Sequence, residues 1–444
     1  MNIIDSNSTL LKELMQADSE TIAAYSAYFN HAKRSKENTN LYSIWIYPIM
    51  YFFLICMSKL FFKRNDNLKV KTNNNCKAIY FATYYKIIRA NCLYKITDVN
   101  TCITIYLPSF NFNLVKYVIK KSSEKNAYYP LFGFYDYYSF LKKYTSALIR
   151  LRKIKGANED VRFVYKLVLQ NYLYSSFVNR LINNNNDIAG KKIIVDYNRS
   201  IFLPVIQKLR SKGIRSYHLQ HGVFIKPNDF YFPLYASDVL CNSEREKQYY
   251  INDGVDEKKI HIIGAPLQTI TDEYNNTGVS GCYDVLVLLT STTSEYMQKF
   301  QQLIIDFLSE KYPDQKYIFR FRPASYNDDV KKIKFRFDNY VISKGRTLSK
   351  DIYEAKKIIS FSFDALFEIR RMKKQLLIMT NETDETDSLI SKCTNEDRYL
   401  FDIPKFMESG EWSTLSEQDF LNNVGTTDVN IVKENFNSFL RADL

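Results

Sequence analysis

Residues 356–380 read KKIISFSFDALFEIRRMKKQLLIMT. KKIISFSF is a short apolar run with the look of a buried strand. Residues 364–372 carry helical spacing, and KQLLIMT (374–380) is a second short apolar strand. Such strand–helix–strand units predict parallel neighbours with helices on the faces of the sheet. Upstream, the pattern continues. YDVLVLLTSTTS (283–294) is a fully apolar strand followed by hydroxyl residues, and residues 294–311 are a helix. KYIFRFRP (316–323) and NYVIS (339–343) are strands, and 348–355 is a helix. Downstream, at least one helix is expected, near 432–440.

An earlier series has the same character. Strands are predicted near 78–84, at TCITIYL (101–107) and at NAYYPLF (126–132). A long helical region runs from about 137 to 182. KKIIVDYN (191–198), IRSYHLQHG (214–222), SDVLCNS (237–243) and KIHIIGAPL (259–267) are further strands. Helices are expected over 200–212 and 244–252, the latter stopped by Gly254. The fold class is therefore α/β, with two doubly wound, Rossmann-like domains facing across a cleft. The expected divisions are an N-terminal helical, apolar extension (1–70), a first Rossmann-like domain (71–235), a second Rossmann-like domain (236–425) and a C-terminal helix (426–444).

Composition narrows the function. At 444 residues with 46% hydrophobic and 15% aromatic residues, the chain has material for a large core. Twelve glycines, no two of them one residue apart, exclude a G-x-G-x-x-G loop, and no phosphate-loop motif is present. Seven cysteines without a C-x-x-C and four histidines give no zinc cluster. Scattered thiols and the absence of an early apolar leader suit a reducing cytoplasm. The net charge of +13 favours anionic partners. The basic residues are dispersed, however, and no nucleic-acid recognition motif stands out, so no nucleic-acid partner is expected.

Residues 38–58 hold no charge, and the stretch 41–62 is strongly apolar between basic flanks. Three readings stand: a membrane span, an interfacial helix at the inner face of a membrane, or a buried helix. Pro48, several tyrosines and a basic residue cluster on each side disfavour the span.

In open parallel sheets, ligands bind beyond the carboxyl ends of the strands. The residues there are Asp196, Gln220, His221 and Gly222, Gly264, Ser291 and Thr292, Arg322, Ser360 and Ser362. His221, in LQHGVF, can exchange protons near neutral pH, and Gly222 allows close backbone approach. Ser360 and Ser362 precede a helix whose first N–H groups favour phosphate, and Glu368 lies on that helix to accept from sugar hydroxyls. Arg320 and Arg322 share one strand face and could clamp a diphosphate.

Three of these features resemble bacterial glycosyltransferases of the GT-B architecture that build surface polysaccharides such as capsule, lipopolysaccharide or teichoic-type polymers. They are LQHGVF with the passage ending in HIIGAPL, the Arg-Pro of RFRP, and ISFSFDALFE. The resemblance covers about 190–380. It implies a nucleotide-sugar donor, CMP- or UDP-linked, on the second domain, a glycan or lipid-linked glycan acceptor on the first, and no cofactor or obligatory metal. No D-x-D occurs in the sequence. Polyol-phosphate transfer from a CDP-linked donor and nucleotide-sugar epimerisation are alternatives on the same scaffold. Teichoic-type enzymes carry H-G-T-P where this chain has Val223 and Phe224. In the transferase reading, Arg322, Ser360, Ser362 and Thr292 neutralise the departing phosphate. His221 or Asp196 activates the acceptor hydroxyl, or Asp196 attacks the anomeric carbon.

Overall fold

The computed structural model describes residues 2–34, 76–82, 102–106, 127–128, 134–154, 158–184, 188–196, 202–220, 234–266, 281–290, 295–322, 329–363, 365–380, 394–409, 417–426 and 428–442. Two all-parallel sheets organise them. The first has seven strands: β1 (Ala78–Ala82), β2 (Cys102–Tyr106), β3 (Ala127–Tyr128), β4 (Lys192–Val195), β5 (Ser216–Leu219), β6 (Asp238–Cys241) and β7 (Ile260–Ile262). Their order is β3-β2-β1-β4-β5-β6-β7. The second has five: β8 (Tyr283–Leu288), β9 (Tyr317–Arg320), β10 (Tyr340–Ile342), β11 (Ala355–Ser360) and β12 (Gln375–Ile378), in the order β10-β9-β8-β11-β12. Each sheet starts at its centre, winds outward, then crosses back to the other side. The reversal lies between β1 and β4 in one and between β8 and β11 in the other.

Parallel strands covered on both faces must be apolar throughout, and these are. On β1, Ile79 and Phe81 face one layer while Ala78 and Tyr80 face the other. The first layer comprises α4 (Phe134–Leu151), α5 (Asn158–Asn184) and α6 (Leu203–Arg210), joined to the sheet through Tyr144, Val178 and Val205. Three short N-terminal helices, α1 (Ile3–Ser6), α2 (Ser8–Met15) and α3 (Ser19–Arg34), lie outside it. Ile4, Leu11 and Tyr25 pack with Leu151, Val164 and Val168. These helices, expected in a separate extension, thus belong to the first lobe. The apolar stretch 41–62 lies outside the described residues.

The remaining helices are α7 (Glu244–Asn252), α8 (Glu295–Lys311), α9 (Leu348–Glu354), α10 (Leu366–Arg371), α11 (Tyr399–Ser409), α12 (Glu417–Asn423) and α13 (Val429–Arg441). In the second lobe, Val285, Val287 and Phe319 pack against α8 through Phe300 and Ile304. Leu286, Leu288 and Ile358 pack on the other face against Leu366, Phe367 and Phe420.

Two expectations change. The boundary expected at 235/236 falls too early, because β6 and β7 pair with β5 in the first sheet. Their sequences carry no mark of the lobe they join; the parallel register with Tyr217–Leu219 decides it. The C-terminal helix α13 is also part of the first lobe. Val432, Phe436 and Phe439 pack on Tyr80, Ile194, Tyr217 and Leu240. The chain therefore leaves the first lobe after β7 and returns to it at the end.

Candidate functional site

Each rim is built where its sheet reverses. In the first lobe Val195 pairs with Phe81, and Asp196, the next residue, is fully buried just beyond the strand end. A carboxylate placed there by a parallel strand is where this class of sheet receives ligands. On the neighbouring strand Gln220 is also fully buried. Its Oε1 accepts from the Tyr250 hydroxyl at 3.1 Å, and its N–H donates to the Leu240 carbonyl at 2.9 Å. Gln220 thus anchors the backbone that enters His221 and Gly222, which lie outside the described residues. His218, two residues back on β5, is buried in the sheet, as its spacing suggests.

A pair of side-chain caps closes the next loop. Ser243 Oγ accepts the Glu246 N–H at 3.3 Å, while the buried Glu246 carboxylate accepts the Asn242 N–H at 2.9 Å. This pair is legible as S-x-x-E ahead of a helix, although neither residue is among the strand-end candidates. It fixes the β6–α7 turn, against which the C-terminal return of the chain crosses.

In the second lobe Ser360 pairs with Leu288 across the reversal and is fully buried. Its hydroxyl donates to the Ser362 carbonyl at 2.7 Å and accepts the Ser362 N–H at 3.1 Å. Ser360 therefore shapes the turn, and half-buried Ser362 stands further out on it. Glu368 follows in α10, half-buried. Ser291 and Thr292 lie outside the described residues, but the strand that leads to them is held by a buried glutamine. Gln301 Oε1 accepts the Thr290 N–H at 3.0 Å. Its signal in the sequence is a lone amide on the apolar face of α8.

The two strand-end arginines have different environments. Arg320 is engaged inside the lobe, where Nη1 donates to Asp351 Oδ2 at 2.6 Å and to the Arg346 carbonyl at 3.0 Å. A guanidinium with those partners is not the diphosphate clamp expected from its place on the strand face. Arg322, two residues on, is exposed beyond the strand end. Gly264 also has another role than the donor contact expected of it. Its φ is +80°, and a Cβ there would stand 2.8 Å from Thr426 Cγ2 and 2.9 Å from Val432 Cγ2. The close approach that requires glycine is that of the returning chain, tied by the Ala265 N–H to the Thr426 carbonyl at 2.9 Å.

Among the described residues, no cluster of three or more His, Cys, Asp or Glu side chains could hold a metal ion. Among them, too, no helix is long and apolar enough to cross a membrane.

No protein-family profile matches the chain, and no curated protein does. Solved structures do. A Listeria monocytogenes structure assigned as a UDP-N-acetylglucosamine 2-epimerase has a TM-score of 0.53 at 11% identity, over 83% of this chain and 97% of that one. The Neisseria meningitidis UDP-GlcNAc 2-epimerase bound to UDP-GlcNAc gives 0.52 at 12%, over 83% and 100%. The Methanocaldococcus jannaschii enzyme in complex with UDP-GlcNAc and UDP gives 0.51 at 12%, over 82% and 99%. At such identities the likeness is one of fold: two doubly wound parallel lobes of the GT-B kind.

Proposed function

We propose that this chain is a GT-B glycosyltransferase that moves a sugar from a nucleotide donor to a glycan or lipid-linked glycan acceptor in cell-surface polysaccharide synthesis. The observation that carries the reading is the pair of sheet reversals, with Asp196 at one strand-end rim and the Ser360–Ser362 turn at the other. The donor nucleotide sits on the second lobe. Arg322 and the outer part of the Ser362 turn face its phosphates, with Ser291 and Thr292 beside them and Glu368 toward the ribose. Ser360 supports this set through the turn. UDP is favoured over CMP, because the GT-B neighbours above include complexes with UDP-GlcNAc and UDP.

Transfer forms a bond from an acceptor oxygen to the anomeric carbon and breaks the bond from that carbon to phosphate. The acceptor proton passes to His221 or Asp196. The charge on the departing diphosphate is met by Arg322, hydroxyls and backbone N–H groups, with no metal required. The protein works at the inner face of the cytoplasmic membrane, where residues 41–62 attach it peripherally.

A second reading, epimerisation of UDP-GlcNAc at C2, is favoured by those same neighbours, which have this fold and that activity in their names. Incubation with UDP-GlcNAc, followed by NMR of the products, separates the two. A transferase releases UDP only when a glycan acceptor is added, also in the presence of a chelator. An epimerase yields the C2 epimer with no acceptor. His221→Ala abolishes turnover with the melting temperature unchanged. Neither product from any of a panel of UDP-, CMP- and CDP-linked donors, combined with no thermal stabilisation by the nucleotides, would sink both readings.

A further inference from the structure

Helices α4, α5 and α6 bury apolar stripes against the sheet and against each other, but each also turns a polar stripe toward a common hollow. Tyr138, Lys142, Ser146 and Arg150 recur every four residues along α4. Tyr172, Ser175, Ser176 and Asn179 share one face of α5, and Gln207, Lys208 and Ser211 share one face at the end of α6. With the end of α2 they line an open hollow of about 780 Å³. That is within the range of small-ligand sites, roughly 300–1,000 Å³.

The hollow is strongly cationic. Lys142, Lys143, Arg150 and Lys208 line it, against Glu13 as the one carboxylate. Glu13 is already paired with Arg150 at 2.5 Å. Among the described residues no carboxylate lies within ion-pair distance of Lys142, Lys143 or Lys208. Lys208 is held below the usual lysine range by partial burial and by repulsion from Lys212 and Lys143. A half-buried ammonium beside like charges is stabilised by an anion bound next to it.

This is not the strand-end rim. α6 leaves the carboxyl end of β4 and runs back toward the start of β5, so Lys208 and Ser211 lie toward the opposite end of the sheet. We propose that this hollow on the back of the first lobe is a binding site for a phosphate ester, separate from the proposed donor site. Lys142, Lys143 and Lys208 meet its charge, and Ser175, Ser176 and Asn179 provide hydrogen bonds to its oxygens. The same chemistry occurs in a soluble sugar- or glycerol-phosphate and in an anionic phospholipid headgroup.

The test uses the full chain and the variant Lys143→Gln/Lys208→Gln. Binding of glycerol 3-phosphate and of inorganic pyrophosphate is measured by calorimetry, and flotation is measured with phosphatidylcholine vesicles with and without one quarter phosphatidylglycerol. At least one probe binds the unaltered protein, more weakly as salt rises. The double variant weakens it at least tenfold, about what one lost charge-assisted contact gives, while UDP binding is unchanged. Saturable binding of glycerol 3-phosphate identifies a soluble ester; flotation that depends on phosphatidylglycerol alone identifies the headgroup. Loss of the signal in Arg322→Ala with retention in the double variant places it at the strand-end rim and overturns the proposal. So does the absence of both signals, or equal binding by the double variant. If the double variant fails to fold, the exposed single variant Lys143→Gln carries the same comparison.

Discussion

Gly425 lies directly against the backbone of Asn242: a Cβ built on Gly425 would stand 2.1 Å from the Asn242 carbonyl oxygen. Its φ of +100° is a conformation that side chains resist. The contact brings the returning C-terminal segment onto the β6–α7 turn, just ahead of the helix that covers Tyr80, Ile194 and Leu240. Gly425→Ala must therefore displace either the turn or the returning chain. It is expected to cost more than about 2 kcal/mol, the range of backbone strain added to a steric clash. Gly213 is the control, since its φ is +69° but a Cβ there would meet nothing within 4 Å. Gly213→Ala is expected to cost only about 1 kcal/mol. Chemical denaturation of both variants checks the ranking, and equal midpoints would refute it.

Asp351 joins two arginines. It is fully buried, with Arg320 Nη1 at 2.6 Å and Arg346 Nε at 2.7 Å. Asp351→Ala leaves Arg320 without its carboxylate, while Arg346 keeps Glu354, and is expected to cost about 3–5 kcal/mol. The two strand-end arginines then separate by measurement. Arg320→Ala lowers the melting temperature, because it breaks this cluster. Arg322→Ala leaves the melting temperature near that of the unaltered protein and weakens nucleotide binding about tenfold or more, the loss of one charge-assisted phosphate contact. Thermal melts and calorimetry with UDP read the two effects independently.

The sequence held the strands well because strands buried on both faces leave continuous apolar runs: β8, β11 and β12 fall within the predicted 283–294, 356–363 and 374–380, with only Ala355 outside. It also located Asp196 and Ser360 at strand ends. What it did not hold was decided by partners far away in the chain. β6 and β7 read as strands, but only their pairing with β5 assigns them to the first sheet. Arg320 and Arg322 are equivalent by spacing, and only Asp351, 31 positions from Arg320, tells them apart. Gly264 reads only as a strand-end residue, and nothing in its neighbours says that the group against it is Thr426.

Asp284, at the start of β8, links acid stability to one carboxylate. Desolvation raises its pKa, but the Lys356 ammonium at 2.7 Å and the Lys316 N–H at 3.0 Å outweigh that and hold it below the usual aspartate value. A carboxyl with a depressed folded pKa stabilises the fold above its unfolded pKa, and the contribution fades as pH falls through the folded value. Asp284→Asn is therefore expected to be less stable at neutral pH by about 0.5–1 kcal/mol, a modest figure because the pair is partly exposed. The difference from the unaltered protein should vanish on the acid side of the depressed pKa. Urea midpoints measured across that range check the sign: a gap that widens toward acid would mean that Asp284 is protonated more readily in the fold.

Gln301 connects packing to the donor rim. It is fully buried on α8, its Oε1 takes the Thr290 N–H at 3.0 Å and its Nε2 donates to the Met297 carbonyl at 3.1 Å. Gln301→Leu keeps the volume close to that of the amide but leaves the Thr290 N–H without that acceptor. The stability cost is about 1–3 kcal/mol, the range for a deleted buried partner. The functional consequence follows from position. Thr290 is the last described residue before Ser291 and Thr292, so releasing its N–H loosens the start of the segment proposed to lie beside the donor phosphates. Nucleotide affinity should fall several-fold in Gln301→Leu even at temperatures where the variant is fully folded. Calorimetry with UDP under those conditions is the check. An unchanged affinity with a lowered melting temperature would confine Gln301 to packing and remove the segment after β8 from the donor site.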